Sequence, residues 1–167
     1  MSPINGVVTA LVTNVNDPLK QGRVKMSFQW LSDTHETDFI RIATPMAGNK
    51  RGAFLMPEVG DEGLVAFEHG DARFPYVIGF LYNGQDYPPA EDVRERVIQS
   101  VNGHRIRFLD STPAGGNKGA LVIEDAHGNT ILMTNGQITI KATAQLRLMA
   151  PTVVINGRVV SPNPNPI

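Results

Sequence analysis

The sequence predicts an all-β protein: a small barrel or sandwich at the N-terminus, then an elongated β structure. Three observations predict it. Sixteen glycines and twelve prolines punctuate 167 residues almost from end to end, leaving little room for long helices. Short runs rich in Val, Ile, Leu and Phe fill the gaps between those turn signals. From Ile138 onward, Ile138, Ile140, Ala142, Ala144, Leu146, Leu148 and Ala150 occupy every second position, the period of a strand with one buried face.

Taken in order, Gly6 to Val15 reads as the first strand. Gly22 to Trp30 alternates strictly, which puts Val24, Met26, Phe28 and Trp30 on one face. Phe39–Ala43, Ala53–Met56, Gly63–Glu68 and Tyr76–Leu81 are the further strands, separated by turn signals such as Ala47-Gly48-Asn49, Val59-Gly60-Asp61 and Tyr82-Asn83-Gly84. Five or six short strands within about 85 residues make a small barrel or sandwich. Tyr87-Pro88-Pro89-Ala90 then stops any strand, and the charged stretch Glu91 to Arg96 reads as a connector with room for one helical turn. The expected division is residues 1–85 for the first domain, 86–100 for the connector, 101–160 for the β extension and 161–167 for a tail.

Within the extension, the run from Ile138 would span about 40 Å if unbroken, at roughly 3.3 Å per residue. It is either one long strand or successive strands of a winding structure. His127-Gly128-Asn129, Asn135-Gly136 and Asn156-Gly157 supply residues that tolerate the positive φ of tight turns. This pattern resembles a β-solenoid or intertwined β-helix. In the tail, Pro162, Pro164 and Pro166 alternate with asparagine up to Ile167, so the last strand should stop near Val160. The last third supplies one apolar face and too little sequence for a second layer. Either several identical chains close a narrow tube over Ala142 and Ala144, or the strand packs on the N-terminal domain as an ordinary sandwich.

Composition narrows the function. The formal net charge is −1, and residues 1–90 carry 7 basic and 10 acidic side chains, against the local basic excess that phosphate neutralisation needs. Zero cysteine removes disulfides, thiolate metal sites and a cysteine nucleophile. The N-terminus lacks a secretory pattern and no apolar run approaches about 18 residues. Glu58, Asp61 and Glu62, with Glu68, His69 and Asp71, could be read as a metal or acid–base cluster, but they fall at turns around Gly60 and Gly70. Ser32, Asp33 and His35 are adjacent in sequence, which is not how a triad is recognised. Pro113 to Gly119 lacks the Lys-Ser/Thr ending of a phosphate loop. Arg105 and Arg107 alternate with Ile106 and Phe108, the solvated face of a strand.

Asp17-Pro18-Leu19-Lys20-Gln21-Gly22-Arg23-Val24-Lys25 before Trp30-Leu31-Ser32-Asp33 resembles a known module. So do Arg41-Ile42-Ala43-Thr44-Pro45-Met46-Ala47-Gly48, Met56-Pro57-Glu58-Val59-Gly60-Asp61-Glu62 with Val65 to Asp71, and Arg73 to Gly79. In this order they resemble the OB-fold domain of contractile-injection spikes: phage baseplate proteins of the assembly-protein-V type, type VI VgrG proteins and extracellular injectors. The resemblance implies an OB-fold barrel followed by an intertwined trimeric β-helix needle, acting as a structural spike without catalysis or cofactor. It implies a homotrimer on a ring-shaped baseplate hub protein, assembled in the bacterial cytoplasm and driven through a target cell envelope. Ile123, Ile131, Met133, Ile138, Ile140, Ala142, Ala144, Leu146 and Leu148 are the expected trimer axis. Val153, Ile155, Val159, Val160, Pro162, Pro164, Pro166 and Ile167 would form the end that takes a PAAR-type tip protein. The segment between Leu81 and the extension is too short for a lysozyme domain, no His-X-His apex occurs, and a separate hub is expected. The rival readings are a single-stranded nucleic-acid-binding OB module and a hydrolase built on the acidic turns.

Overall fold

A computed structural model describes residues 3–30, 35–112 and 116–160. The chain divides into two compact units, Met1–Pro88 and Pro89–Ile167.

The first unit is a closed five-stranded barrel. Its staves are β1 (Val7–Asn14), β2 (Arg23–Ser27), β3 (Ile40–Ile42), β6 (Glu62–Phe67) and β7 (Pro75–Phe80), in the order β1-β2-β3-β7-β6 with β6 returning to β1. All pairs are antiparallel except β3 with β7. Closure leaves the barrel no free edge. Strand alternation fills it: Ala10 and Val12 from β1, Val24 and Met26 from β2, then Phe28, Ile40, Val65 and Val77. Gly63 sits inside this core because the methyl of Met26 takes its place; a Cβ there would lie 2.7 Å from Met26 Cε.

Two strand expectations need correction. Ala53–Met56 forms no strand. A two-residue ladder of β4 (Ala47–Gly48) with β5 (Arg51–Gly52) precedes it, and Phe54 and Leu55 project outward, Phe54 76% exposed. Trp30 lies beyond the end of β2 and is 57% exposed, so the inward face ends at Phe28.

The second unit holds β8 (Glu95–Gln99), β9 (Arg105–Leu109), β10 (Ala120–Glu124), β11 (Thr130–Thr134) and β12 (Gln137–Lys141) in one antiparallel sheet in chain order. A separate hairpin pairs β13 (Val153–Ile155) with β14 (Arg158–Val160). Asn135-Gly136 and Asn156-Gly157 turn their hairpins with φ of 49° and 75° at both sites, the left-handed pair of a type I′ turn. Glu91 to Arg94 makes turns and not a helical one, and β8 starts inside the stretch read as connector.

The long alternating run is a strand only as far as Lys141. The reason is topological. β12 is an edge strand whose sole neighbour, β11, begins at Thr130 opposite Lys141. Past that point no strand among the described residues is available to pair with, and residues 142–152 carry no ladder. The single chain is an open meander and a hairpin, not a wound coil.

Candidate functional site

The register of the second unit assembles a surface that no single strand reveals. Ile98 lies opposite Ile106, Ile106 opposite Ile123, Ile123 opposite Ile131 and Ile131 opposite Ile140. Directly opposed residues share a face, so five isoleucines cross all five strands in single file. At about 4.8 Å per strand the file is about 19 Å long. Two residues along, Phe108, Leu121, Met133 and Ile138 form a parallel row on the same face.

This face is open. Its isoleucines are from 37% (Ile131) to 70% (Ile138) exposed, and Phe108 is exposed too. The opposite face, which carries more charge, is the more sheltered. There Val122 is buried at 7%, and Arg107 donates from Nε to Glu95 at 2.5 Å and from Nη1 to Glu124 at 3.4 Å. Both carboxylates and the guanidinium are largely covered, and Glu95 pushes the Arg107 pKa up. β9 shows the inversion directly: Arg105 and Arg107 are half-buried while Ile106 and Phe108 face water. Apart from the exposed Arg96–Asp110 pair at the edge of the Phe108 row, this face is aliphatic and open, while the Arg107 ion pairs are sheltered on the other, so the sheet lacks a covering layer. A contiguous exposed apolar face of this size marks an interaction surface.

Of the expected axis residues, Ile123, Ile131, Met133, Ile138 and Ile140 come together on this face. Ala142, Ala144, Leu146 and Leu148 follow β12 outside any ladder, Leu146 and Leu148 exposed. Sequence reasoning missed Ile98, Ile106, Phe108 and Leu121. The period-two pattern of Arg105-Ile106-Arg107-Phe108 was the available signal. Among the expected tip residues, Val153 and Ile155 lie in β13, and Val159 and Val160 in β14. Pro162, Pro164, Pro166 and Ile167 lie outside the described residues, as do Ser32, Asp33 and Pro113 to Gly115.

Several acidic groups of the barrel take part in local structure. Asp61 accepts from the Glu58 backbone N–H at 2.9 Å, Glu68 accepts from the Tyr76 hydroxyl at 2.5 Å, and Asp71 takes a fork from Arg73 that holds its pKa at about 2. Asp17 organises the β1–β2 loop. It accepts from the backbone N–H of Leu19, Gln21 and Arg23 and from the Arg23 guanidinium, which holds its carboxyl far below the usual range. These contacts explain why Asp17 and Arg23 flank a glycine with φ of 69° in the quoted motif. The basic and aromatic groups beside β2 and β3 satisfy each other as well. Arg41 stacks on Tyr76 at 4.7 Å, Arg73 on Phe74 at 5.6 Å, and Lys25 on Phe39 at 5.5 Å while pairing with Glu36. Rings covered by cations, with Lys25 and Arg73 also held by carboxylates, suit a structural face better than a base-stacking one.

Comparisons with known proteins match both units. Residues 8–82 match the type VI secretion system/phage-baseplate injector OB domain, and residues 95–161 match the phage baseplate V C-terminal trimerisation domain. The chain is 32% identical over 120 residues to the type VI secretion system spike protein VgrG5 of Pseudomonas aeruginosa, covering 70% of this chain and 14% of that protein. It is 32% identical over 123 residues to VgrG4b of the same organism, covering 71% and 14%. Against VgrG3 of Vibrio cholerae the identity is 26% over 122 residues, covering 70% and 11%. The chain thus spans about a seventh of the first two relatives and less of the third. Among the described residues no helix is long and apolar enough to cross a membrane.

Proposed function

The chain belongs to the spike family of phage baseplates and type VI secretion systems, and from that premise we propose that three copies form the central spike of a contractile injection machine. One observation carries the proposal: the exposed file of Ile98, Ile106, Ile123, Ile131 and Ile140. Three such sheets, apolar faces inward, make a closed prism in which each copy supplies the layer the others lack. The segment after Lys141, without a ladder in one chain, gains neighbours from the other two and continues the needle. Intertwined strands resist axial load, and the work is mechanical, with no group required to transfer a proton.

In this reading the barrel unit forms the collar that seats on a ring-shaped hub protein. The β13–β14 hairpin and the residues after it form the distal end that carries a PAAR-type tip. The complex is assembled in the bacterial cytoplasm and acts at the target cell envelope on contraction. The test is made in a bacterium that produces such particles with this chain. Ile131→Asp puts three carboxylates into the apolar interior, a cost of several kcal/mol for each charge. Particles bearing the variant are expected to lack spike density at the tube end under the electron microscope. Particles with a normal spike would contradict the proposal.

A further inference from the structure

The barrel carries a second exposed surface, and its charge is divided in a way the needle does not explain. Two clefts meet on one side of the barrel and share Leu55 and Met56. The first, about 690 Å³, is lined by Lys20, Arg41, Lys50 and Arg51 and by no carboxylate. The second, about 350 Å³, is lined by Asp61, Glu62 and Asp86 and by no cation. Between and around them Met46, Phe54, Leu55 and Tyr82 stand more than half exposed.

Neither end is neutralised from within. Among the described residues, none of these four cations and none of these three carboxylates takes part in an ion pair. At the acidic end the Asn83 amide donates to Glu62 at 3.0 Å and to Asp86 at 3.1 Å, drawing two carboxylates together with a neutral group. The basic cleft of one copy is complementary in charge to the acidic cleft of another. In a cyclic trimer every contact is of the head-to-tail kind, one patch of a copy meeting a different patch of the next.

We propose that this surface joins the barrels of neighbouring copies into a ring, the Lys20–Lys50–Arg51 end of one meeting the Asp61–Glu62–Asp86 end of the next around Phe54 and Leu55. The inference rests on the trimeric reading and adds to it a second, charge-directed interface between the barrels of the collar.

The test uses the full chain, reassembled from equal parts of ¹⁴N- and ¹⁵N-labelled protein and treated with a zero-length carbodiimide. Mixed-isotope peptides joining Lys20 or Lys50 to Asp61, Glu62 or Asp86 are expected. Charge reversal at Lys50→Glu with Arg51→Glu should remove the Lys50 products and weaken those of Lys20, and adding Asp86→Lys should restore assembly of the barrels. A trimeric mass with cross-links confined to single chains would overturn the ring while leaving the needle. It would assign the basic cleft to another occupant, such as a foreign acidic peptide or a nucleic acid strand. A single-chain mass would overturn the ring and the trimeric reading together.

Discussion

Asp17 ties the β1–β2 loop of the barrel to Arg23 at the start of β2. Its carboxylate closes the β1–β2 loop by accepting three backbone N–H groups and both arms of Arg23. Because the folded pKa lies below the unfolded value near 3.9, its contribution is complete above about pH 4 and is lost as pH falls through the folded value. Asp17→Asn should lower the melting temperature at pH 7 and flatten the acid limb of the stability profile, read by thermal melts from pH 7 to pH 2. In the core, Met26 is fully buried and fills the space left by Gly63. Met26→Ala should cost about 2–5 kcal/mol in denaturant unfolding of the barrel. The pairing of Asp71 with Arg73 is different, since the arginine side chain is 80% exposed, and Arg73→Ala should change stability by less than about 1 kcal/mol.

At the scale of elements, the hairpin turns and the sheet register decide what the surface presents. Gly136 adopts φ of 75° after Asn135 at 49°, so Gly136→Ala should destabilise the β11–β12 hairpin by about 1–2 kcal/mol, measurable as faster amide exchange in those strands. The barrel strands were legible because each of their inward residues recurs with period two, as Val24, Met26 and Phe28 do. Ala53–Met56 lacks that alternation: four consecutive apolar residues suggest a strand, but Gly52 at φ of 140° and the tight β4–β5 ladder turn Phe54 and Leu55 outward. The isoleucine file was half legible. Ile123, Ile131 and Ile140 stand in strands with clear patterns. Ile98 was hidden in a strand that opens at Glu95-Arg96 inside a charged connector, and Ile106 and Phe108 were masked by arginine neighbours. Cross-strand alignment is a property of register, and register depends on turn lengths between strands that no one-dimensional period contains. The run after Lys141 shows the converse limit. Its periodicity is real, but a strand also needs a neighbour, and one chain supplies none beyond Thr130.

The whole molecule is best understood as one part of a larger body. The barrel is a closed unit with its own core of eight buried residues. Among the described residues of the second unit, Val122 alone is a buried hydrophobic, beneath a face of exposed isoleucines. The two should respond differently to disruption. Ile131→Asp should abolish assembly while the barrel keeps its cooperative melt, whereas Met26→Ala should soften the barrel and leave the association of the second unit intact. In the proposed spike, the aliphatic face of the second unit is an interface among three copies. The most direct measurement is the native mass of the full chain in dilute buffer, by native mass spectrometry or light scattering. The expected mass is three times the 18.2 kDa of one chain, with the Ile131→Asp variant reduced to one. A wild-type chain that stays folded at 18.2 kDa would contradict it.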